Sequence, residues 1–344
     1  MQKYNFLGIL NSKFLIVGFT LLYSCQSNNF EVDTNKIDLQ IKLGRLDKDL
    51  FSKPALQIDS LNKELKESYG SFYNVYLRDI LNIGELKDPM IGVLVDKFRS
   101  DPVWKETQVE IENVFPNLAT EKEEIEEAFK RYKFFFPSSA IPNLVAYNSG
   151  FNVGIYPSDS TLGIGLEWYL GAENKILKQL ATEDFPQYKK DQMLPINLVA
   201  SSLKGWLLYK HQSNLKNETL LDVIVYYGKI LFILKTILPG KNENTIVGYS
   251  PEQLLWCRKN EFSFWTYLVD NKLIFTKNYK DISRMVSDGP FTSGISQESP
   301  AKIGIWLGYE IVKQYVEKTN VTSLQKLLDT NDSRLLLKYY KPSK

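Results

Sequence analysis

The chain has 344 residues and a formal net charge of +2. With 44% hydrophobic and 24% charged residues, it is not a largely disordered chain. Two cysteines, Cys25 and Cys257, exclude a disulfide framework, and a lone histidine, His211, excludes sites that need two histidines, H-E-x-x-H zinc peptidases among them.

Residues 1–24 read as a lipoprotein signal peptide. Lys3 and Lys13 stand in a stretch without acidic residues, and an apolar run follows from Phe14 to Tyr23. That run is too short for a spanning helix, which needs about 20 apolar residues. Leu22-Tyr23-Ser24-Cys25 has the form of a lipobox, with Leu three residues before the cysteine and a small residue directly before it. Cys25 is therefore expected to become the lipidated N-terminus that holds the protein to the bilayer. Loss of residues 1–24 removes two lysines and leaves 40 basic against 40 acidic residues. A neutral chain carries no electrostatic footprint for nucleic acid.

Residues 25–43 are read as the lipidated cysteine and a polar tether, and residues 44–344 as one globular domain. A helical Leu/Phe/Tyr pattern starts near Leu46 and runs, with breaks, to Phe136; Asp88-Pro89 and Asp101-Pro102 mark turns or helix starts. The clearest helix is Glu121–Phe136, with Thr120 and Glu123 at capping-box spacing and an apolar stripe of Ile125, Ala128, Phe129, Tyr132 and Phe136. Its glutamates read as a solvated face. Three short β-prone runs follow, Leu144–Asn148, Phe151–Tyr156 and Thr161–Leu166, predicting a small antiparallel sheet with a hairpin. Gly163-Ile164-Gly165 begins a dinucleotide-like pattern, but Trp168 takes the third glycine position, so the glycines are read as room for close backbone packing or a bulge.

Beyond Gly171 the chain is helical again. Leu220–Leu238 is predicted as a buried helix, because Asp222, Lys229 and Lys235 make a membrane span costly. Asn217 or Thr219 caps it, with Asp222 three beyond Thr219. Ser250-Pro251-Glu252-Gln253 supplies an N-cap, a first-turn proline and a capping-box glutamine for a helix to about Leu268. Gly304 and Gly308 share a helix side with Ile311, Val312 and Tyr315, a spacing that permits close helix contact. The fold class expected is α+β, predominantly helical with a small antiparallel sheet.

These segments, taken in order, resemble the gliding motility lipoprotein GldB family over nearly all of the mature chain. The resembling stretches include Arg45-Leu46-Asp47-Lys48-Asp49-Leu50-Phe51, Arg131-Tyr132-Lys133-Phe134-Phe135-Phe136-Pro137 and Gly163-Ile164-Gly165-Leu166-Glu167-Trp168-Tyr169-Leu170-Gly171. The most specific are Gly248-Tyr249-Ser250-Pro251-Glu252-Gln253-Leu254-Leu255-Trp256-Cys257 and Ser299-Pro300-Ala301-Lys302-Ile303-Gly304-Ile305-Trp306-Leu307-Gly308. The resemblance implies a lipoprotein facing the periplasm in the bacterial cell envelope. It further implies protein partners in the gliding machinery and the type IX secretion linked to it. A second similarity, to zinc peptidases of the zincin fold, implies a degenerate zincin-like domain without its metal site. The helix after the sheet reads Pro195-Ile196-Asn197-Leu198-Val199-Ala200-Ser201-Ser202-Leu203-Lys204, with no histidine, and Lys229 stands where a glutamate would complete the site.

No catalytic residue, cofactor or metal ligand is assigned from the sequence; the one site residue is Cys25. His211 reads as a surface or capping residue and Cys257 as buried packing. The function expected is a non-enzymatic, membrane-anchored lipoprotein. The alternatives are a glycan or cell-wall hydrolase using two of the aromatic-flanked acids Glu167, Glu261 and Glu310, or a solute-binding lipoprotein with an aromatic-lined pocket.

Overall fold

Alternation along one short strand organises the molecule. In a strand, successive side chains point to opposite faces. In β2 (Asn143–Tyr147), Leu144 and Ala146 enter a large apolar core, while Val145 and Tyr147 enter a smaller one on the other face. The structure is a computed structural model and describes residues 30–52 and 58–344; Cys25 and the signal segment lie outside those residues.

Helices dominate, as expected. The N-terminal third holds β1 (Leu43–Arg45), α1 (Leu46–Phe51), α2 (Ile58–Tyr69), α3 (Ser71–Val75), α4 (Ile91–Ser100), α5 (Pro102–Val114) and α6 (Ala119–Phe135). After β2 come β3 (Ile155–Pro157) and β4 (Thr161–Gly165), then α7 (Lys175–Gln179), α8 (Gln187–Lys190), α9 (Leu198–Lys210) and α10 (Leu220–Ile237). The C-terminal part comprises α11 (Glu243–Val247), α12 (Pro251–Lys259), α13 (Glu261–Asp270), α14 (Tyr279–Val286), α15 (Ile303–Thr319), α16 (Leu324–Asp329) and α17 (Ser333–Leu337). Among the described residues no helix is long and apolar enough to cross a membrane.

The sheet is mixed, which corrects the antiparallel expectation. Its order is β1-β2-β4-β3, with β2 parallel to both β1 and β4 and only the edge strand β3 antiparallel to β4. The predicted hairpin is β3–β4. Residues 148–160 carry the chain past β4 and back, so β4 enters beside β2 in the same direction. A strand's period says which side chains face a core and nothing about its neighbour's direction. Gly163 on β4 makes room as anticipated: a Cβ there would lie 2.8 Å from the Tyr147 ring and 2.9 Å from that of Phe72.

The α6 stripe is fully buried, with Trp206 of α9 packed edge-on against Phe129 and Tyr132 at centroid distances of 4.9 and 4.7 Å. Its start differs from the expected capping box. The helix begins at Ala119, so Thr120 is already inside it, and Asn117 Oδ1 instead accepts from the Ala119 N–H at 2.9 Å. The glutamate face is not wholly solvated either. Glu126 accepts from the Ile41 N–H at 2.9 Å, and Phe30 and Ile41 are buried against the large core, so residues 30–43 lie on the domain. Thr219 and Asp222 form the full capping box of α10, and Ser250 and Gln253 that of α12. The helix expected to run to Leu268 is interrupted at Asn260 into α12 and α13.

At the centre, α10 and α15 cross in near contact. A Cβ on Gly228 would strike the Gly308 carbonyl, and one on Gly308 would strike that of Ile224. The sequence placed Gly304 and Gly308 on one helix side; the structure supplies α10 as the partner that needs them.

Candidate functional site

A cavity of about 630 Å³ opens between α9, α10, the edge strand β3 and the loops that precede α12 and α15. This volume lies within the usual range for small-molecule pockets. Its α9 wall shows Ser201, Lys204 and Leu208, three or four apart on one helix face, with Asn197 at the cap position directly before the helix. Tyr227, Ile230 and Leu231 come from α10, and Trp168 and Tyr169 from the turn after β4. Two glycines set the walls close. A Cβ on Gly205 would meet Ile155 of β3 at 2.9 Å, and one on Gly154 would meet the Trp168 ring at 3.2 Å.

Charge in the cavity is lopsided. Lys189, Lys204 and Lys302 line it against a single carboxylate, Asp288, which is ion-paired with Lys302. Lys204 is half-buried and, among the described residues, has neither an ion pair nor a hydrogen bond. Burial first, and the Lys302 ammonium second, push its pKa down to about 8 against the opposing pull of Asp288. The indole N–H of Trp168 is likewise buried without an acceptor.

The residues that face the cavity do not suit a zinc ion. The α9 face offers an amide, a hydroxyl and an ammonium that repels cations, and among the described residues no group of three His, Cys, Asp or Glu side chains could hold a metal. Lys229, expected near such a site, is turned elsewhere: its ammonium donates to the carbonyls of Leu328 at 3.2 Å and Thr330 at 2.6 Å.

The three acids weighed for glycan hydrolysis are absent from the cavity wall. Glu167 is wholly buried. Its Oε1 accepts from the N–H of Ser149 at 2.8 Å, the N–H of Phe151 at 3.2 Å and the Ser149 hydroxyl. Burial pushes its carboxyl up to about 7, against the lowering effect of those bonds. Glu261 accepts from the Tyr340 hydroxyl at 2.8 Å, and Glu310 is held by Lys313 at 2.8 Å. His211 ends α9 and shares a 3.0 Å hydrogen bond with the Tyr132 hydroxyl; burial lowers its pKa to about 4. Cys257 is fully buried, and burial raises its thiol far above the usual range, which leaves it a packing residue.

Sequence reasoning passed over Lys204, which served only to close a helix without histidine. The available signal was its spacing: Ser201 and Lys204 share a face of an otherwise apolar helix, and an unmatched lysine on such a face requires an explanation.

The family model described as gliding motility protein GldB matches residues 27–342. The chain belongs to the GldB family. The match spans both cores, the sheet and the cavity. No curated protein and no solved structure matches the chain.

Proposed function

We propose that this chain is a non-enzymatic lipoprotein, anchored through Cys25, that supports gliding motility and the type IX secretion machinery coupled to it from the periplasmic face of the envelope. The observation that carries the reading is the GldB family match over residues 27–342. The Leu22-Tyr23-Ser24-Cys25 motif, just ahead of that match, supports the anchor. The scaffold role draws support from the surface. Leu255, Phe262, Val269, Phe275, Tyr279 and Phe291 are large apolar residues left exposed between residues 255 and 291. Phe262 and Val269 stand seven apart on one face of α13. Aromatic side chains in that setting serve as anchors for a protein partner.

A clean deletion in a gliding host tests the reading. Loss of gliding and reduced export of surface adhesins are expected, with both restored by the wild-type gene. Normal gliding and normal adhesin export in the deletion strain would overturn it.

A further inference from the structure

Three other lysines drawn in from the surface have somewhere to put their ammonium protons. Lys190 donates to the Leu180 carbonyl at 2.8 Å, Lys229 to those of Leu328 and Thr330, and Lys235 to those of Pro239 and Lys241. Lys204 has no such partner among the described residues, although it stands in the wall of a 630 Å³ cavity. A charge withdrawn from water without a partner is costly, and a fold that keeps one facing a cavity gains when an opposite charge enters.

The surroundings are arranged to leave that ammonium reachable. Gly248 adopts φ +87°, and a Cβ there would come to 3.5 Å from Lys204 Nζ, into the space beside the charge. Two further cations line the same cavity, Lys189 and Lys302, the latter left-handed at φ 58° and ion-paired with Asp288. The rest of the wall mixes polar side chains, Gln192, Asn197, Ser201 and Gln253 among them, with an apolar and aromatic part that includes Trp168, Met193, Ile230, Leu231 and Ile305.

We propose that this cavity binds a small organic anion, a carboxylate or phosphate head on an apolar body, with Lys204 as the head-group contact and the aromatic and aliphatic wall enclosing the body. Three lysines against one carboxylate favour an anionic over a cationic ligand, and the apolar part of the wall favours an organic body over a bare inorganic ion. Lys302, already shared with Asp288, adds long-range attraction. The role is separate from the motility reading: ligand binding stands or falls on the cavity alone.

The test uses the full chain in non-ionic detergent, with detergent-only controls, and equilibrium dialysis of 4-phenylbutyrate, phenyl phosphate and the neutral 4-phenylbutanol. At least one anion is expected to bind about tenfold or more tightly than the alcohol. The tighter of the two anions identifies the head group. Lys204→Met is expected to erase the preference while the alcohol still binds. Equal binding of anions and alcohol, a preference retained in Lys204→Met, or no anion binding up to about 10 mM overturns the proposal. Should that variant fail to fold, amine-reactive labelling of the wild type decides the matter. The winning anion protects Lys204, and not surface lysines, from modification; absence of that selective protection overturns the proposal.

Discussion

At the scale of single residues, Glu167 and His211 are buried in ways that set opposite pH dependences. The Glu167 carboxyl has an ordinary value of 4.5 and is raised to about 7 by burial; its Oε2 has no hydrogen-bond partner. Between those values the folded chain holds a proton that the unfolded chain has released, so stability falls as pH rises through the window. Glu167→Gln keeps an acceptor for Ser149 and Phe151 and cannot titrate. Relative to wild type it should gain roughly 2–3 kcal/mol between pH 4.5 and pH 8, read by urea unfolding at each pH. A pH-independent difference would contradict the assignment. His211 works the other way. It stays neutral down to about 4, against 6.5 in the unfolded chain, so stability is lost as pH falls through that interval. Partial solvent access reduces the effect, and His211→Gln should be less acid-sensitive than wild type by about 1 kcal/mol at pH 4. Neither residue's environment was legible from its neighbours in sequence. Glu167 sits among aromatics in a pattern that equally suits a cleft, and only the fold shows that its contacts are internal.

Elements were largely legible where local chemistry decides them. The α6 stripe, the Thr219–Asp222 and Ser250–Gln253 caps and the Asp101 cap of α5 are short-range features, and each stands where the sequence put it. The capping box expected at Thr120 does not form, since the helix starts at Ala119 after a left-handed Leu118, and the Asn117 side chain accepts from the Ala119 N–H. Thr219→Ala should cost about 1 kcal/mol in urea unfolding, through loss of the two bonds that the Thr219 hydroxyl makes with the Asp222 N–H and carboxylate. Helix crossings lie at the edge of legibility. Glycine spacing announced a close approach without naming the partner. A methyl group at Gly308 meets the Ile224 backbone, which cannot rotate away as a side chain could. Gly308→Ala should therefore cost about 3 kcal/mol or more. Gly240, where a methyl group would meet nothing within 4 Å, provides the contrast, and Gly240→Ala should change stability by less than about 0.5 kcal/mol. Similar losses in both variants would argue against a tight α10–α15 crossing.

For the whole molecule, anchoring and folding separate. Cys25 precedes a domain whose cores are built from residues 30 onward, so Cys25→Ser should leave the thermal midpoint of the mature domain unchanged while failing to restore gliding to a deletion strain. Full complementation by that variant would show that the lipid is dispensable. The helical α+β class, the apolar faces, most caps and the family could all be read before any coordinates, because they follow from residue type and short-range spacing along one chain segment. The parallel pairing of β2, the packing of residues 30–43 on α6 and the cavity around Lys204 could not. Each depends on which distant segments meet. That choice is made by the summed burial of two cores on opposite faces of a sheet, and no local pattern records it.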